Sequence, residues 1–324
     1  MIHLSNLIGL YLYALSSRHE VQAFINSQNI GARYGAAPLQ YHNSLSSYVF
    51  APTQLNLYTQ VISDVDDTLK SSGGINVGGV ALGGIDTQYA RGDFYPGVFE
   101  FMLQLSLFRL ENNDVRLPAK VAVLTARAEE FKFALELKDD SKLGKAFSDA
   151  GVKEGVYGWG LGPVLYGSVA EWLVQDRKGL RKFCNFEQLI GQDPTGSILQ
   201  YVYVGDTGEL DSEAGETMLR EYPEVTKAIF LHVVSDVTTN PTIPPMKLIN
   251  GRPVVYFRTY VGAAAKAVQL GLLDEEGLQK VIDAAKLALR GVSKTDDKWE
   301  NLIKDINNAL RILECMKIAV KQNY

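Results

Sequence analysis

Acidic residues cluster directly after a short β-prone run near residue 60. Tyr58-Thr59-Gln60-Val61-Ile62-Ser63 is that run, and Asp64-Val65-Asp66-Asp67-Thr68 follows it at once. Carboxylates at i and i+2 past a strand end can both face a ligand at the sheet edge. Asp64 can attack phosphorus to form an aspartyl-phosphate, while Asp66 protonates the leaving oxygen and later takes a proton from water. A solvated acid-rich corner or a helix N-cap is the alternative interpretation.

Two further β-prone runs also end in polar residues. The run 120–124 ends at Thr125, whose hydroxyl can donate to a phosphoryl oxygen. The run 201–204 ends at Gly205-Asp206, and a second acid, Asp211, lies five positions further on.

These polar strand ends are expected to share one crevice, because ligands of parallel sheets bind off the carboxyl ends of the strands. Asp64, Thr125 and Asp206 are the three residues concerned. Two carboxylates beside a phosphate repel it, so the scheme needs a hard cation. Mg²⁺ is suited to this role because it takes oxygen ligands from one or two carboxylates and from the substrate phosphate.

Strand-like and helix-like segments alternate along the middle of the chain. Residues 98–108 follow the Pro96-Gly97 turn, 128–137 follow Arg127, and 228–234 form a fourth β-prone run. This alternation predicts an α/β fold with a Rossmann-like parallel sheet flanked by helices. Beyond it, apolar residues recur at helical spacing in 257–270, in 275–290 after Asp274 as N-cap, and around 299–313, which predicts a C-terminal helical appendage.

Glycine pairs recur every five residues between the acidic cluster and the first helix. They occupy positions 73–74, 78–79 and 83–84 within the stretch 71–92. Because glycine tolerates tight hairpins, we predict a glycine-rich flap beside the site, with Tyr89, Arg91 and Phe94 as candidate contacts. A purely structural hairpin is the alternative. A P-loop is disfavoured because the Gly-Lys-Ser/Thr ending is absent.

Composition indicates a globular protein without a nucleic-acid footprint. The 324 residues are 46% hydrophobic and 21% charged, with a net charge of −5, which disfavours a nucleic-acid partner. The apolar run 7–15 is too short to span a bilayer. It is either a signal-peptide core or, as we favour, a core or docking helix, because no Lys or Arg precedes it. We therefore expect a cytoplasmic protein, with peripheral membrane contact left open.

Other catalytic schemes find little support. The two cysteines, Cys184 and Cys315, form no metal-spaced set. The four histidines show no H-E-x-x-H spacing, and the chain contains no G-x-S-x-G elbow.

The combined motifs resemble those of the haloacid dehalogenase superfamily of phosphohydrolases. Its members carry D-x-D-x-T after an apolar strand, a Thr or Ser at a second strand end, a Lys, and G-D with another acid four or five positions on. More specifically, the chain resembles the phosphatidate phosphatase catalytic domain first described in a fungal actin-patch protein. The resemblance spans about residues 58–236 and rests on four stretches: 64–70, Tyr95-Pro96-Gly97-Val98, Leu124-Thr125-Ala126-Arg127 and 205–211.

This resemblance implies a role for each matching residue. Asp64 is the implied nucleophile and Asp66 the implied general acid/base. Asp64, the backbone carbonyl of Asp66 and Asp206 would hold Mg²⁺, and Asp211 would support the metal site indirectly. Thr125 would bind a phosphoryl oxygen.

The lysine of the third motif has two candidates. Lys182 is favoured because Phe183, Phe186 and Leu189 give it a packed helix face, and it would bind the substrate phosphate. Lys178 is the other candidate. The non-functional alternative is that these are surface lysines in the basic run 177–182.

We therefore expect three segments: an arm and loop at 1–54, a haloacid dehalogenase-like catalytic domain at 55–250 and the helical appendage at 251–324. The expected function is that of a Mg²⁺-dependent phosphatase acting on phosphatidate or a related lipid phosphate. The alternatives are a phosphatase of a soluble phosphomonoester and a non-catalytic binding or scaffold protein that keeps the fold. The sequence does not indicate an oligomeric state.

Overall fold

The computed structural model describes residues 58–74, 76–77, 80–81, 84–110, 117–128, 137–167, 178–193, 196–208, 210–235 and 241–322. Every described residue belongs to one compact unit, Gln54–Tyr324. The predicted arm and the apolar run 7–15 lie outside the described residues. Among the helices described, none has both the length and the apolar character needed to cross a bilayer.

A mostly parallel seven-stranded sheet forms the centre of this unit. The described strands are β1 (Tyr58–Ser63), β2 (Asn76–Val77), β3 (Val80–Ala81), β4 (Val121–Ala128), β5 (Leu161–Gly167), β6 (Ile198–Asp206), β7 (Thr226–His232), β8 (Lys247–Ile249) and β9 (Arg252–Phe257). The sheet order is β5-β4-β1-β6-β7-β9-β8, with only β8 antiparallel to its neighbour. β2 and β3 form a separate antiparallel pair.

Helices cover both faces of the sheet. They are α1 (Val98–Leu107), α2 (Lys142–Lys153), α3 (Lys178–Gly191), α4 (Asp211–Glu221), α5 (Tyr260–Gln269), α6 (Glu275–Ala288) and α7 (Asp297–Gln322). Successive strand residues point to opposite faces. Val61 accordingly lies in the core cluster that contains Phe101 of α1, while Ile62 lies in the cluster that contains Phe186 of α3. The protein thus has the α/β, Rossmann-like architecture that the sequence predicts.

Most predicted elements coincide with observed ones. The first β-prone run is β1 residue for residue, and the runs at 120–124, 201–204 and 228–234 fall on β4, β6 and β7. The helix predicted at 98–108 is α1. Of the helix predicted at 128–137, residue 128 still belongs to β4 and residues 129–136 lie outside the described residues.

The sheet and the helical tail meet later along the chain than the sequence suggests. β9 pairs in parallel with β7, with Phe257 opposite His232, so the sheet continues beyond residue 250. The predicted helix start at Phe257 is wrong, because α5 begins after Thr259, whose side chain caps it by accepting the N–H of Gly262. Residues from all three tail helices join the core cluster shared by the sheet and α1: Val261, Ile282 and Ile306.

Candidate active site

The first two acids are brought together by the pairing of β1 with β6. Ser63 lies opposite Val204, and the N–H of Asp64 donates to the Val204 carbonyl oxygen at 3.0 Å. Asp206 ends β6 two residues later. Because the two strands are parallel neighbours, Asp64 and Asp206 lie at the same edge of the sheet.

Three carboxylates converge at this edge. One oxygen each from Asp64, Asp206 and Asp211 lies within 4.8 Å of the others, and all three residues are buried. Asp211 starts α4, where its Oδ2 accepts the N–H of Asp206 at 3.2 Å. The N–H of Gly208 donates to Asp206 Oδ1 at 2.5 Å. The spatial convergence that the sequence predicts is therefore present, at a separation that a single divalent ion can bridge.

Gly205 makes room for this arrangement. A Cβ at position 205 would lie 2.5 Å from Asp211 Oδ2 and 2.7 Å from Asp211 Cβ. A side chain before Asp206 would therefore push α4 and its carboxylate away from the site. Close packing against Asp211 thus explains why glycine precedes Asp206 in the motif with an acid five positions further on.

Lys182 brings a positive charge to the carboxylates. Its Nζ lies 3.1 Å from Asp64 Oδ1 and also donates to Asp211 Oδ1, and the side chain is 1% exposed. Lys182 lies in the second turn of α3 rather than at its start, because the helix begins at residue 178. The side chain of Lys178 lies outside the described residues.

Asp66 and Thr125 flank the cluster without joining the three carboxylates. Thr125 is buried in β4, two residues past Val123, which pairs with Ser63 of β1. Asp66 is half-buried and forms a backbone bridge with Lys70. Among the described residues, the Asp66 carboxylate is not part of the three-carboxylate group.

The donor set fits Mg²⁺. All three candidate ligands are carboxylate oxygens, the type that Mg²⁺ prefers. Three carboxylates and one ammonium leave a net charge of 1 − 3 = −2 in a buried place. Excess buried charge is strongly unfavourable without a partner. A divalent cation bound here would offset this negative charge.

Two buried tyrosines lie near the carboxylates. Burial raises the pKa of Tyr203 and of Tyr260 well above the ordinary value, and the carboxylates, Asp211 foremost for Tyr203 and Asp206 for Tyr260, raise it further. Both side chains therefore remain neutral phenols. The Tyr260 hydroxyl donates to the Thr68 carbonyl oxygen at 2.7 Å and so holds the loop that follows β1.

A polar network behind this loop is not predicted by the sequence. Asp67 is fully buried, and burial raises the pKa of its carboxyl group while the N–H groups of Ser72, Asp86 and Ile85 lower it. Asp86 accepts the Tyr95 hydroxyl at 3.0 Å and lies 3.8 Å from Arg258. The sequence shows only that a third acid, Asp67, follows Asp64 and Asp66, and it does not indicate the contacts with Ile85 and Asp86, 18 and 19 positions further on.

The glycine-rich stretch contains the β2–β3 hairpin, in which Asn76 pairs with Ala81 and Val77 with Val80. Its predicted contacts lie beyond the hairpin. The Tyr89 ring packs edge-on against Tyr95, Phe94 packs against Phe99, and Arg91 is exposed. A hairpin is thus present, while its action as a flap stays a prediction.

Comparison with known proteins adds little to this geometry. No protein-family model and no curated protein sequence matches the chain. One matching solved structure, described as "Structure of Pnkp1/Rnl/Hen1 complex", is 13% identical with a TM-score of 0.30, and the match covers 64% of this chain. It covers 60% of the length of that chain.

Proposed function

We propose that this chain is a Mg²⁺-dependent phosphatase of the haloacid dehalogenase superfamily that hydrolyses a phosphoric monoester through an aspartyl-phosphate on Asp64. The observation that carries the proposal is the buried group of Asp64, Asp206 and Asp211 with Lys182 in contact. This group stands in the motif context D-x-D-x-T and G-D-x4-D. Asp64, Lys182 and the pair Asp206 and Asp211 come from three separate segments of the chain, and their convergence supports the proposal.

The chemistry divides into two displacements. A carboxylate oxygen of Asp64 attacks phosphorus, the bond from phosphorus to the leaving oxygen breaks, and Asp66 gives its proton to that oxygen. Asp66 then removes a proton from water, which attacks phosphorus, releases phosphate and restores the Asp64 carboxylate. Bound Mg²⁺ supplies positive charge to the phosphoryl oxygens.

The remaining residues bind and orient the phosphoryl group. Lys182 already lies beside Asp64 and would neutralise an incoming phosphoryl oxygen. Thr125, buried in the strand next to β1, would donate its hydroxyl to another. Asp211 would hold Lys182 and the backbone of Asp206 in place through its two oxygens.

The substrate class follows from the family resemblance. That resemblance favours phosphatidate or a related lipid phosphate, and a soluble phosphomonoester is the alternative. The reaction at phosphorus is the same for both, so the catalytic residues do not distinguish them.

The reaction is tested with the full-length chain and 4-nitrophenyl phosphate, with Mg²⁺ and with a chelator. We expect hydrolysis only with Mg²⁺, and a loss of about 1,000-fold or more in Asp64→Asn, because the nucleophile is removed. Acid quenching during turnover of radiolabelled substrate should leave label on the wild type and none on Asp64→Asn. Asp305→Asn is the matched control, since it changes a largely buried carboxylate that accepts a hydrogen bond from Thr259 on another helix.

The outcomes separate the alternatives. Activity that survives Asp64→Asn contradicts the covalent scheme. Metal binding without hydrolysis of any phosphoester favours a scaffold protein. Phosphate release from phosphatidate in mixed micelles, measured beside a panel of soluble phosphates, decides the substrate class.

A further inference from the structure

Asp67 has every polar backbone group engaged although it lies in an uncommon conformation. Its φ of 56° is in the left-handed region, which side chains other than glycine seldom occupy. Its N–H donates to the Lys70 carbonyl oxygen at 2.7 Å, and its own carbonyl oxygen lies 2.8 Å from His232 Nδ1. The turn that follows Asp66 is therefore held from both sides.

The Asp67 carboxylate ties the two ends of the glycine-rich stretch to this turn. Oδ1 accepts the N–H of Ser72 at 2.8 Å, and Oδ2 accepts the N–H groups of Ile85 at 2.5 Å and Asp86 at 2.8 Å. Such hydrogen bonds to a carboxylate are among the stronger ones in proteins. Gly84 permits this approach, because a Cβ there would collide with Asp67 Oδ2, and its φ of 146° also favours glycine.

We infer that Asp67 is a positioning residue that sets the place of the neighbouring Asp66 relative to the phosphoryl site. The inference rests on the proposed function, in which Asp66 protonates the leaving group. Asp66 shares a peptide unit with Asp67 and bridges to Lys70, the acceptor of the Asp67 N–H. Loosening the carboxylate of Asp67 should therefore displace the general acid while Asp64, anchored to β6, keeps its place.

The substitution Asp67→Asn separates positioning from simple support of the fold. An asparagine presents an NH₂ group to at least one of three N–H donors, so the arrangement cannot be kept. Good leaving groups need little protonation, whereas poor ones depend on the general acid. We expect kcat/KM to fall at least about 10-fold for an alkyl phosphate and less than about 3-fold for 4-nitrophenyl phosphate.

A second variant reaches the same contact from the other side. Gly84→Ala should give the same selective loss, and the double variant should lose little more than the larger single loss, because both changes break one contact. Asp305→Asn changes a carboxylate that is remote in sequence. It should change kcat/KM by no more than a few-fold for either substrate. Equal losses on both substrates in Asp67→Asn and Gly84→Ala would overturn the inference.

Hydrogen exchange gives a readout that does not need activity. The amides of Ser72, Ile85 and Asp86 should exchange faster in Asp67→Asn than in the wild type and in Asp305→Asn. Unchanged exchange at these amides refutes the inference whatever the activity. Faster exchange in Asp67→Asn, together with a wild-type chain that hydrolyses no phosphoester, would instead refute the proposed function and, with it, a role for Asp67 in catalysis.

Discussion

His232 shows how a single buried side chain supports the site from behind. It pairs with Asp206 across β6 and β7, and its Nδ1 and Nε2 lie 2.8 Å and 3.2 Å from the carbonyl oxygens of Asp67 and Arg258. Burial, and next the charge of Arg258, lower the pKa of His232 to about 4. The ring is therefore neutral near pH 7, and its one N–H fits the shorter contact, to Asp67.

This depressed pKa makes the stability of the fold depend on pH. Between the ordinary value of 6.5 and about 4, the unfolded chain binds a proton at His232 that the folded chain does not. The contribution of His232 to the free energy of unfolding is complete above pH 6.5. It declines by about 3 kcal/mol as the pH falls from that value to about 4. Urea unfolding of the wild type and of His232→Gln at pH 7, 5.5 and 4.5 measures it. The difference in free energy of unfolding should shrink as the pH falls, and a constant difference contradicts the prediction.

Residues that carry motifs were predictable, and residues that support them were not. Asp64 and Asp206 each stand at the carboxyl end of a recognisable strand, and this position indicates that they share an edge of a parallel sheet. Asp67 and His232 are 165 positions apart and meet only through the sheet order. A histidine inside a β-prone run, such as His232, does not indicate from the sequence which residue it contacts.

At the scale of elements, Thr259 both starts a helix and joins it to another. Its Oγ1 accepts the N–H of Gly262 at 3.1 Å, which caps α5, and donates to Asp305 Oδ2 on α7 at 2.7 Å. Burial raises the pKa of Asp305, so this carboxylate depends on the hydroxyl for solvation. The contact ties the first and last helices of the tail together two residues after β9 ends.

Removing this hydroxyl should cost more than removing an ordinary cap. Thr259→Ala loses the cap, about 1 kcal/mol, and leaves a largely buried acceptor without its donor, about 1–2 kcal/mol more. Ser141→Ala at the start of α2 is the comparison, because Ser141 also caps by accepting a backbone N–H, that of Gly144, but donates to the exposed carbonyl oxygen of Lys138, which water can solvate. Its loss should cost only about 1 kcal/mol. Urea denaturation gives both values, and Thr259→Ser should recover most of the loss. Equal losses in the two alanine variants would show that the Asp305 contact adds nothing.

The element boundaries that the sequence misplaced have a common cause. β9 is six residues long and runs directly into the cap of α5, so its Val-Val-Tyr-Phe run merges with the apolar stripe of the helix. β5 was not predicted either, because Leu161–Gly167 carries two glycines and a proline in seven residues. Short strands of this kind are fixed by their neighbours rather than by local preference.

At the scale of the whole molecule, the excess negative charge of the site should link metal binding to stability. A ligand at 100 times its Kd adds about 2.7 kcal/mol to folding, which for a domain of this size raises Tm by roughly 5 °C. We expect Mg²⁺ to raise the Tm of the wild type and of Asp305→Asn in a thermal scan. Asp206→Asn should abolish the shift, and an undiminished shift in that variant would place the metal elsewhere.

The fold class was predictable because the alternation of strands and helices is a local pattern. The sheet order was not, since it depends on which distant strands pair. β1 lies between β4 and β6, and Ser63 of β1 pairs with Val123 of β4 and with Val204 of β6. The motif positions could nevertheless be assigned to a common edge, because parallel strands share the direction of their carboxyl ends.

The central place of β1 also has a consequence during synthesis on the ribosome. Asp64 leaves the ribosome early, but its partner carboxylate at Asp211 follows 211 − 64 = 147 positions later, which takes roughly 7–30 s at ordinary elongation rates. On the proposed mechanism, a nascent or truncated polypeptide that stops before Asp206 carries the nucleophile, Asp64, without the two carboxylates that would hold a cation beside it. If that mechanism holds, incomplete copies of this protein lack phosphatase activity until β6 pairs with β1.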